Sequence, residues 1–415
     1  MEAMSSAAAL MEAMSSAALP AMETLSDLSS DVQREVLLRI PYQFHDKFRA
    51  VCRSWETVID SPGFLEDREK LGKREHLICI MQTLQILHDP GVRAWSSSIS
   101  NTGITVYDPV TGRWGRIPPA PIRNLFPSKC ELLCVCGKLV LLGGCSLADH
   151  NMRNPVFIYD FQSRKWRQGA DMPTSRSGFA CSVASSEAGK ALIYVAGGSD
   201  GHGNILATAE AYDVEADSWV ILPPMTENRK NGLGVFMEGK FMVVSGSNPE
   251  HPYGLTSAEV LDTKTSTWNS LQGMWSLEMD IRSCLSCTVS TSERDYLYVI
   301  HRLKRVMSKY DPQKNVWTSV PVAVPGIAVI KCVAPWHDRI FVSGTDREGR
   351  DTVSYLFQPS TGESTAIDTG GVFVSGIDRG VRDTVSHLFR GSTGRESTAG
   401  DFAGHLNHHA ATVHL

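Results

Sequence analysis

Four groupings of reactive side chains bear on the chemistry this chain can do. Cys134 with Cys136 and Cys284 with Cys287 have spacings that suit zinc. A finger-type site needs a second pair at a matching distance, and neither has one. All four lie in apolar, strand-like context, so buried reduced thiols are expected. His405, His408, His409 and His414 are metal-ligand types, yet alternation along a terminal strand or a solvated tail accounts for them. The glycine-rich stretch 197–203 has no Gly-Lys-Ser or Gly-Lys-Thr after it, so it is not a phosphate cradle. No catalytic residue, metal or cofactor is assigned.

The remaining grouping is Arg123, Arg176, Arg229 and Arg282, spaced almost regularly, the first three following prolines. Guanidinium groups suit carboxylate and phosphate, so a ring of them reads as a grip on an acidic or phosphorylated segment. The competing reading is that each arginine bonds backbone carbonyls of its own repeat. His202 and Tyr253 join the arginines as candidate substrate-facing residues. His202 and Tyr253 lie in two of the variable loops, at 146–154, 199–204, 247–253 and 345–350, which the repeat layout puts on one face with the proline-arginine segments.

The elements that must carry these residues follow from a repeated motif. Tyr107, Asp108 and Trp114 recur as Tyr159, Asp160, Trp166; Tyr212, Asp213, Trp219; Leu261, Asp262, Trp268; and Tyr310, Asp311, Trp317. The Asp-to-Trp gap is always 6, and successive tryptophans are 52, 53, 49 and 49 residues apart. Before most aspartates an apolar run ends in glycine: 139–142 then Gly143 and Gly144, 192–196 then Gly197 and Gly198, 241–244 then Gly246. Runs of that length and composition are strands, and glycines at their ends leave room for a neighbouring backbone. Turn formers fill the Asp-to-Trp gap, so a hairpin is expected, with the aspartate accepting turn amides and the tryptophan burying its face in the outgoing strand. A fourth run follows each proline-arginine segment. Four strands per unit make one blade of a β-propeller.

The 415 residues, 42% hydrophobic and 20% charged, describe a globular chain with room for two domains. A net charge of −5 gives no reason to expect nucleic acid or an anionic membrane as partner. No apolar run reaches the length of a spanning helix, and a soluble, intracellular protein is expected. Residues 1–24 are low in complexity and read as a disordered tail; they lack the early positive charge of a presequence.

From 25 to 71 the apolar spacing turns helical. Val32, Val36, Leu37 and Ile40 share a face, Ser30 with Gln33 offers a capping box, and Pro41 stops the helix. A second helix from Asp46 carries Phe48, Val51, Trp55, Val58 and Ile59, and a third spans 64–71. So small a module is completed by a partner.

Leu28, Asp31, Val32, Glu35, Val36, Leu37, Arg39, Ile40 and Pro41, followed by Val51, Cys52, Arg53 and Trp55, resemble the F-box. A period near fifty is that of kelch repeats, and residues 42–45 after Pro41 are similar to plant F-box/kelch-repeat proteins. The match departs at Ser29, where the family prefers proline. The resemblance implies a small all-α F-box module followed by an all-β kelch propeller over 75–415. It implies a non-catalytic substrate receptor of an SCF-type ubiquitin ligase, acting in the cytoplasm and/or nucleus. The F-box would dock on a Skp-family adaptor, and through it a cullin-RING ligase, by Leu28, Val36, Leu37, Ile40, Val51 and Trp55, some of which must also form the module's own core. The propeller would hold a protein client for ubiquitination and proteasomal degradation. Plant relatives target phenylalanine ammonia-lyase, and hence phenylpropanoid synthesis, or hormone-response regulators. The alternatives are a kelch scaffold without ubiquitin function and a propeller enzyme.

Blade one lacks an innermost strand at its start, so the chain's end, from Gly404, is expected to complete it and close the ring. Phe357, Pro359, Thr361 and Gly362 form a sixth hairpin, with Ser364 in place of tryptophan. Residues 340–362 recur at 372–394, too few for another blade. Six blades with an irregular last one, and a duplicated hairpin near 368–399, are expected.

Overall fold

The structure is a computed structural model that describes residues 29–84, 101–120, 130–144, 154–185, 191–276, 280–291, 294–347, 352–368 and 407–414. It holds two compact units, one helical and ending at His76, the other built of strands from Leu77 onward. The duplicated hairpin and Leu28 lie outside the described residues.

Among the described residues, the helical unit consists of α1 (Ser30–Arg39), a 3-10 turn (Tyr42–Phe44), α2 (His45–Arg49), α3 (Arg53–Ile59) and α4 (Phe64–Lys70). Ser29, not Ser30, caps α1, its hydroxyl accepting the Val32 amide. Without proline there, a serine side chain satisfies one of the open N–H groups. The expected second helix is broken in two. Cys52 is extended, with φ −162° and ψ 159°, so the chain leaves the helix after α2 and re-enters it at α3.

The strands form six four-stranded sheets, the blades of a β-propeller. Blade two is β4 (Glu131–Val135), β5 (Lys138–Leu142), β6 (Val156–Asp160) and β7 (Lys165–Gly169). Blade three is β8 (Ala180–Ser185), β9 (Ala191–Ala196), β10 (Ala209–Asp213) and β11 (Ser218–Leu222). Blade four is β12 (Leu233–Met237), β13 (Lys240–Val244), β14 (Ala258–Asp262) and β15 (Thr267–Leu271). Blade five is β16 (Cys284–Ser290), β17 (Asp295–His301), β18 (Met307–Asp311) and β19 (Val316–Val320). Blade six is β20 (Val329–Trp336), β21 (Arg339–Thr345), β22 (Thr352–Phe357) and β23 (Ser364–Ile367), with a register shift between Ile330 and Cys332. Blade one joins β1 (His76–Leu84), β2 (Asn101–Asp108) and β3 (Arg113–Arg116) to β24 (Asn407–His414), in the order β24-β1-β2-β3. The chain's end therefore supplies the innermost strand of the first blade, as expected.

Each Tyr-Asp-Trp motif is one hairpin. Asp108 accepts the amides of Val110 and Thr111, Asp213 those of Glu215 and Ala216, Asp262 those of Lys264 and Thr265, and Asp311 those of Gln313 and Lys314. The fourth residue after the aspartate is left-handed in every copy: Gly112, Arg164, Asp217, Ser266 and Asn315. That conformation brings tryptophan opposite tyrosine across the pair, with ring centroids 4.7 Å apart for Tyr212 and Trp219.

The core lies between blades. Ile158, Met172, Phe179, Ile193 and Tyr212 fill the space between blades two and three, and equivalent clusters fill the other described seams. Each such side chain contributes about 1.5–3 kcal/mol by burial, more than the roughly 1 kcal/mol net of a hydrogen bond, so apolar contact drives the blades together. Directional bonds then fix how they meet. Each indole N–H donates to a carbonyl of the preceding blade's exit: Trp166 to Pro118, Trp219 to Ala170, Trp268 to Pro223 and Trp317 to Met274, all at 2.7–2.8 Å. Trp114 reaches Asp368, after the last blade, at 3.1 Å. Blade six has no tryptophan in its hairpin, and there the Tyr355 hydroxyl donates to Pro325 at 2.6 Å.

The paired glycines act at the same seams. Gly197 has φ 71°, and a Cβ on it would lie 2.3 Å from the Arg229 carbonyl oxygen of the next blade's entry. Gly197→Ala is therefore expected to lower stability by at least about 2 kcal/mol, through the left-handed backbone and the displaced carbonyl. Gly201→Ala, with nothing within 4 Å, should stay within about 0.5 kcal/mol of the parent. Denaturant midpoints of the two variants test the contrast, and equal midpoints would contradict it.

Candidate functional site

The helical unit has a small core of Leu37, Leu38, Trp55, Ile59 and Phe64. Trp55 stacks on Phe48 with centroids 5.6 Å apart and donates its indole N–H to Gln33 Oε1 at 3.1 Å. Gln33 is thus occupied by the tryptophan rather than by a capping box. Arg68, 2% exposed, organises the rest. Its guanidinium donates to the carbonyls of Leu38, Ile40 and Lys73 and pairs with Glu75 at 2.8 Å. Those first two carbonyls are the open end of α1, where a cation is favoured. Nothing in the apolar pattern marked Arg68; a lone arginine in an acidic-basic run reads as surface.

This packing divides the expected adaptor-facing set. Leu37 and Trp55, 1% and 6% exposed, are consumed by the unit's own core. Val36 and Ile40 are half-buried, and Val51 is 46% exposed. Val32, on the face that sequence spacing gave to Val36, is 45% exposed. Among the described residues, the exposed large apolar side chains of the unit are Val32, Val51 and, just after α4, Leu71 at 38%, with Val36 on the same α1 face as Val32, one turn away.

On the propeller, two of the four arginines have structural duties. Arg176 and Arg229 are 0% and 1% exposed. Arg176 donates to the carbonyls of Gly197 and Thr208 and pairs with Glu210 at 2.7 Å. Arg229 donates to Ser245 and Ser257 and pairs with Glu259 at 2.9 Å. Their own carbonyls accept the amides of Gly144 and Gly198 from the preceding blade, so each arginine clasps two blades. This corrects the expectation of a basic grip at these two positions. Burial of a charge is costly unless paired and hydrogen-bonded, and both arginines are. Arg123 lies outside the described residues, and Arg282 sits in the short turn Ile281–Ser283 with its side chain outside them. Glu210 and Glu259 went unremarked in the sequence although each stands three residues before a hairpin aspartate, in Ala-Glu-x-x-Asp.

His202 and Tyr253 are exposed, Tyr253 at 84%. His202 belongs to a turn whose amides, with that of Asn204, bond Asp200, and these bonds, the Asn204 side chain first, hold the Asp200 carboxyl below its usual range. Of the cysteines, Cys284 and Cys287 are buried in β16, and burial pushes both thiols up to about 12, which leaves them protonated and poor nucleophiles. Cys136, expected to be buried, is exposed in the tight β4–β5 turn, where it and Gly137 both have positive φ. Among the described residues, no three His, Cys, Asp or Glu side chains gather at metal-holding distance.

Comparison with known proteins agrees with this architecture. Residues 25–67 match the F-box domain and residues 184–226 the Kelch motif. F-box/kelch-repeat protein At1g80440 of Arabidopsis thaliana is 32% identical over 60% of this chain and 70% of its own length. The chain belongs to the F-box/kelch-repeat proteins. Two others from the same plant are F-box/kelch-repeat protein At2g44130, 34% identical over 61% of this chain and 66% of that protein, and F-box/kelch-repeat protein SKIP20, 32% identical over 61% and 67%. The chain spans about two thirds of the length of these relatives.

His45 makes the F-box sensitive to acid. It is 2% exposed, its Nε2 lies 2.9 Å from the Ile40 carbonyl, and burial, then the Arg68 charge, lower its pKa from 6.5 to about 3. The ring is neutral in the folded unit and takes a proton more readily when unfolded. Its contribution is thus complete above pH 6.5 and lost as pH falls from there toward 3, amounting to about 2 kcal/mol by pH 5. Hydrogen exchange of residues 30–70 in the full chain, corrected for intrinsic rates, should show protection falling between pH 7 and pH 5. His45→Gln should flatten that slope, and an unchanged slope in the variant would contradict the assignment.

Proposed function

We propose that the chain is the substrate-receptor subunit of an SCF-type ubiquitin ligase. The F-box docks on a Skp-family adaptor, which joins it to a cullin-RING ligase, and the propeller holds a protein client. The observation that carries the reading is the pair of half-exposed valines, Val32 and Val51, on a helical unit whose core is five buried side chains. Branched apolar groups left in water on so small a unit gain by a partner's apolar surface. Leu28, Val36 and Ile40 extend the proposed contact, whereas Leu37 and Trp55 support it from within.

The receptor itself breaks and makes no bonds in this reading. Its contribution is effective concentration: a client held on the propeller meets the ubiquitin-charged enzyme as a tethered neighbour. The rigid ring suits that task, since its seams fix the face that carries the loops. The proposal includes action in the cytoplasm and/or nucleus, where client and proteasome meet.

Retention of the full chain by an immobilised Skp-family adaptor tests the reading. The parent should be retained. Val32→Asp and Val51→Asp should each weaken retention at least about tenfold, because a carboxylate replaces an apolar contact, with propeller melting unchanged. A parent that is not retained, or variants that bind like the parent, would sink the proposal.

A further inference from the structure

The geometry points to a docking site for an acidic, apolar-bearing segment of a protein client at the tight turn 302–306 of blade five, with Lys331 beside it. This deepens the receptor reading above and rests on it for the presence of a client.

In blades two, three and four, the bond that closes the base of the connection between the second and third strands spans a long loop: Gly143 N to Pro155 O, Gly197 N to Thr208 O, and Ser245 N to Ser257 O. In blade five the equivalent bond is His301 N to Val306 O, at 2.9 Å, across four residues. The long loop is replaced by Arg302, Leu303, Lys304 and Arg305. No aspartate starts this turn, yet its geometry is that of the aspartate hairpins at the other end of the blades. His301 Nδ1 accepts the amides of Leu303 and Lys304 at 3.3 and 3.2 Å, the Arg305 amide donates to the His301 carbonyl, and Arg305 is left-handed at φ 55°. The turn is preorganised, so a ligand meets it without an ordering cost.

What the turn displays is cationic and apolar together. Leu303 is 61% exposed and Val306 43%. Arg302 and Arg305 each commit one N–H group to a backbone carbonyl at the entry to blade six, Ile330 and Ile327 respectively. A guanidinium has five, which leaves donors for an incoming carboxylate. Half-buried Lys331 is crowded by Arg302: burial first and that charge second hold its ammonium below the usual lysine range. Among the described residues, the Asp280 carboxylate acts on His301, after burial and Lys304. An added negative charge relieves this crowding, and an apolar neighbour covers Leu303. Nucleic acid supplies the charge but no apolar cover, and a chain of net charge −5 does not attract it.

Selection of phage-displayed random dodecapeptides against the full chain tests the site. Peptides should emerge with Asp or Glu next to Leu, Ile or Phe, and should bind more weakly as salt rises. Leu303→Asp and Lys331→Glu should each cut their binding at least about tenfold, while Ile221→Ser, at a 77% exposed position on β11 of blade three, leaves it unchanged. Leu303→Ser, which keeps the turn's charge, guards against a folding artefact and should cost several-fold. Absence of selected peptides, selected peptides without acidic enrichment, or binding to both charge variants within about twofold of the parent, would overturn the proposal. Adaptor retention scored on the same preparations separates its failure from failure of the receptor reading.

Discussion

The ring depends on one recurring interaction, an indole N–H from the hairpin of each of blades one to five reaching the carbonyl that ends the blade before it, with the Tyr355 hydroxyl in its place in blade six. A propeller blade has two apolar faces and cannot bury either alone, so neighbours must meet, and burial supplies most of the energy. Burial is non-directional, however, and tolerates sliding. The indole bond is short, directional and placed at the rim, where a small rotation of one blade moves the donor far. Trp114 to Asp368 is the same bond made across the join between the chain's two ends. Together with β24 entering blade one, it leaves the ring closed at both hub and rim.

A second clasp sits nearer the opposite end of the blades. Arg176 and Arg229 are buried with Glu210 and Glu259, and each takes the backbone of two blades at once. Such pairs add little to stability beyond what apolar residues would provide, but a planar fork that satisfies several carbonyls fixes geometry that apolar packing does not. The consequence for function is subtraction. With these arginines spent on the wall, the receptor reading proposed above leaves recognition to side chains on the loops, and the proposed basic turn of blade five is one of them.

The repeat was legible because its signals are local. An aspartate capping its own turn, a left-handed residue four positions on, and a tryptophan opposite a tyrosine all lie within one short segment, so sequence spacing and structure coincide. Closure by the C-terminal strand was legible by counting strands, and the arginine clasp was one of two readings that spacing left open. The helical unit was less so. Spacing placed Val32, Val36 and Leu37 on one face, but in a unit of four short helices a face is shared between core and surface. Only the folded partners decide that Leu37 goes inward and Val32 outward. The interruption at Cys52, the cap at Ser29 and the buried Arg68 depend on contacts between segments that periodicity does not encode. Cys136 was misjudged because an apolar run continued through a two-residue turn.

The most direct test of the account is hydrogen exchange across the full chain carrying Trp114→Phe, which keeps an aromatic ring and removes the indole donor to Asp368. If the indole bonds hold the ring closed, exchange should quicken together in β3 of blade one and in β22 and β23 of blade six, with β13 and β14 of blade four unchanged. Acceleration confined to β3, or no acceleration at all, would show that the ring is closed by something else.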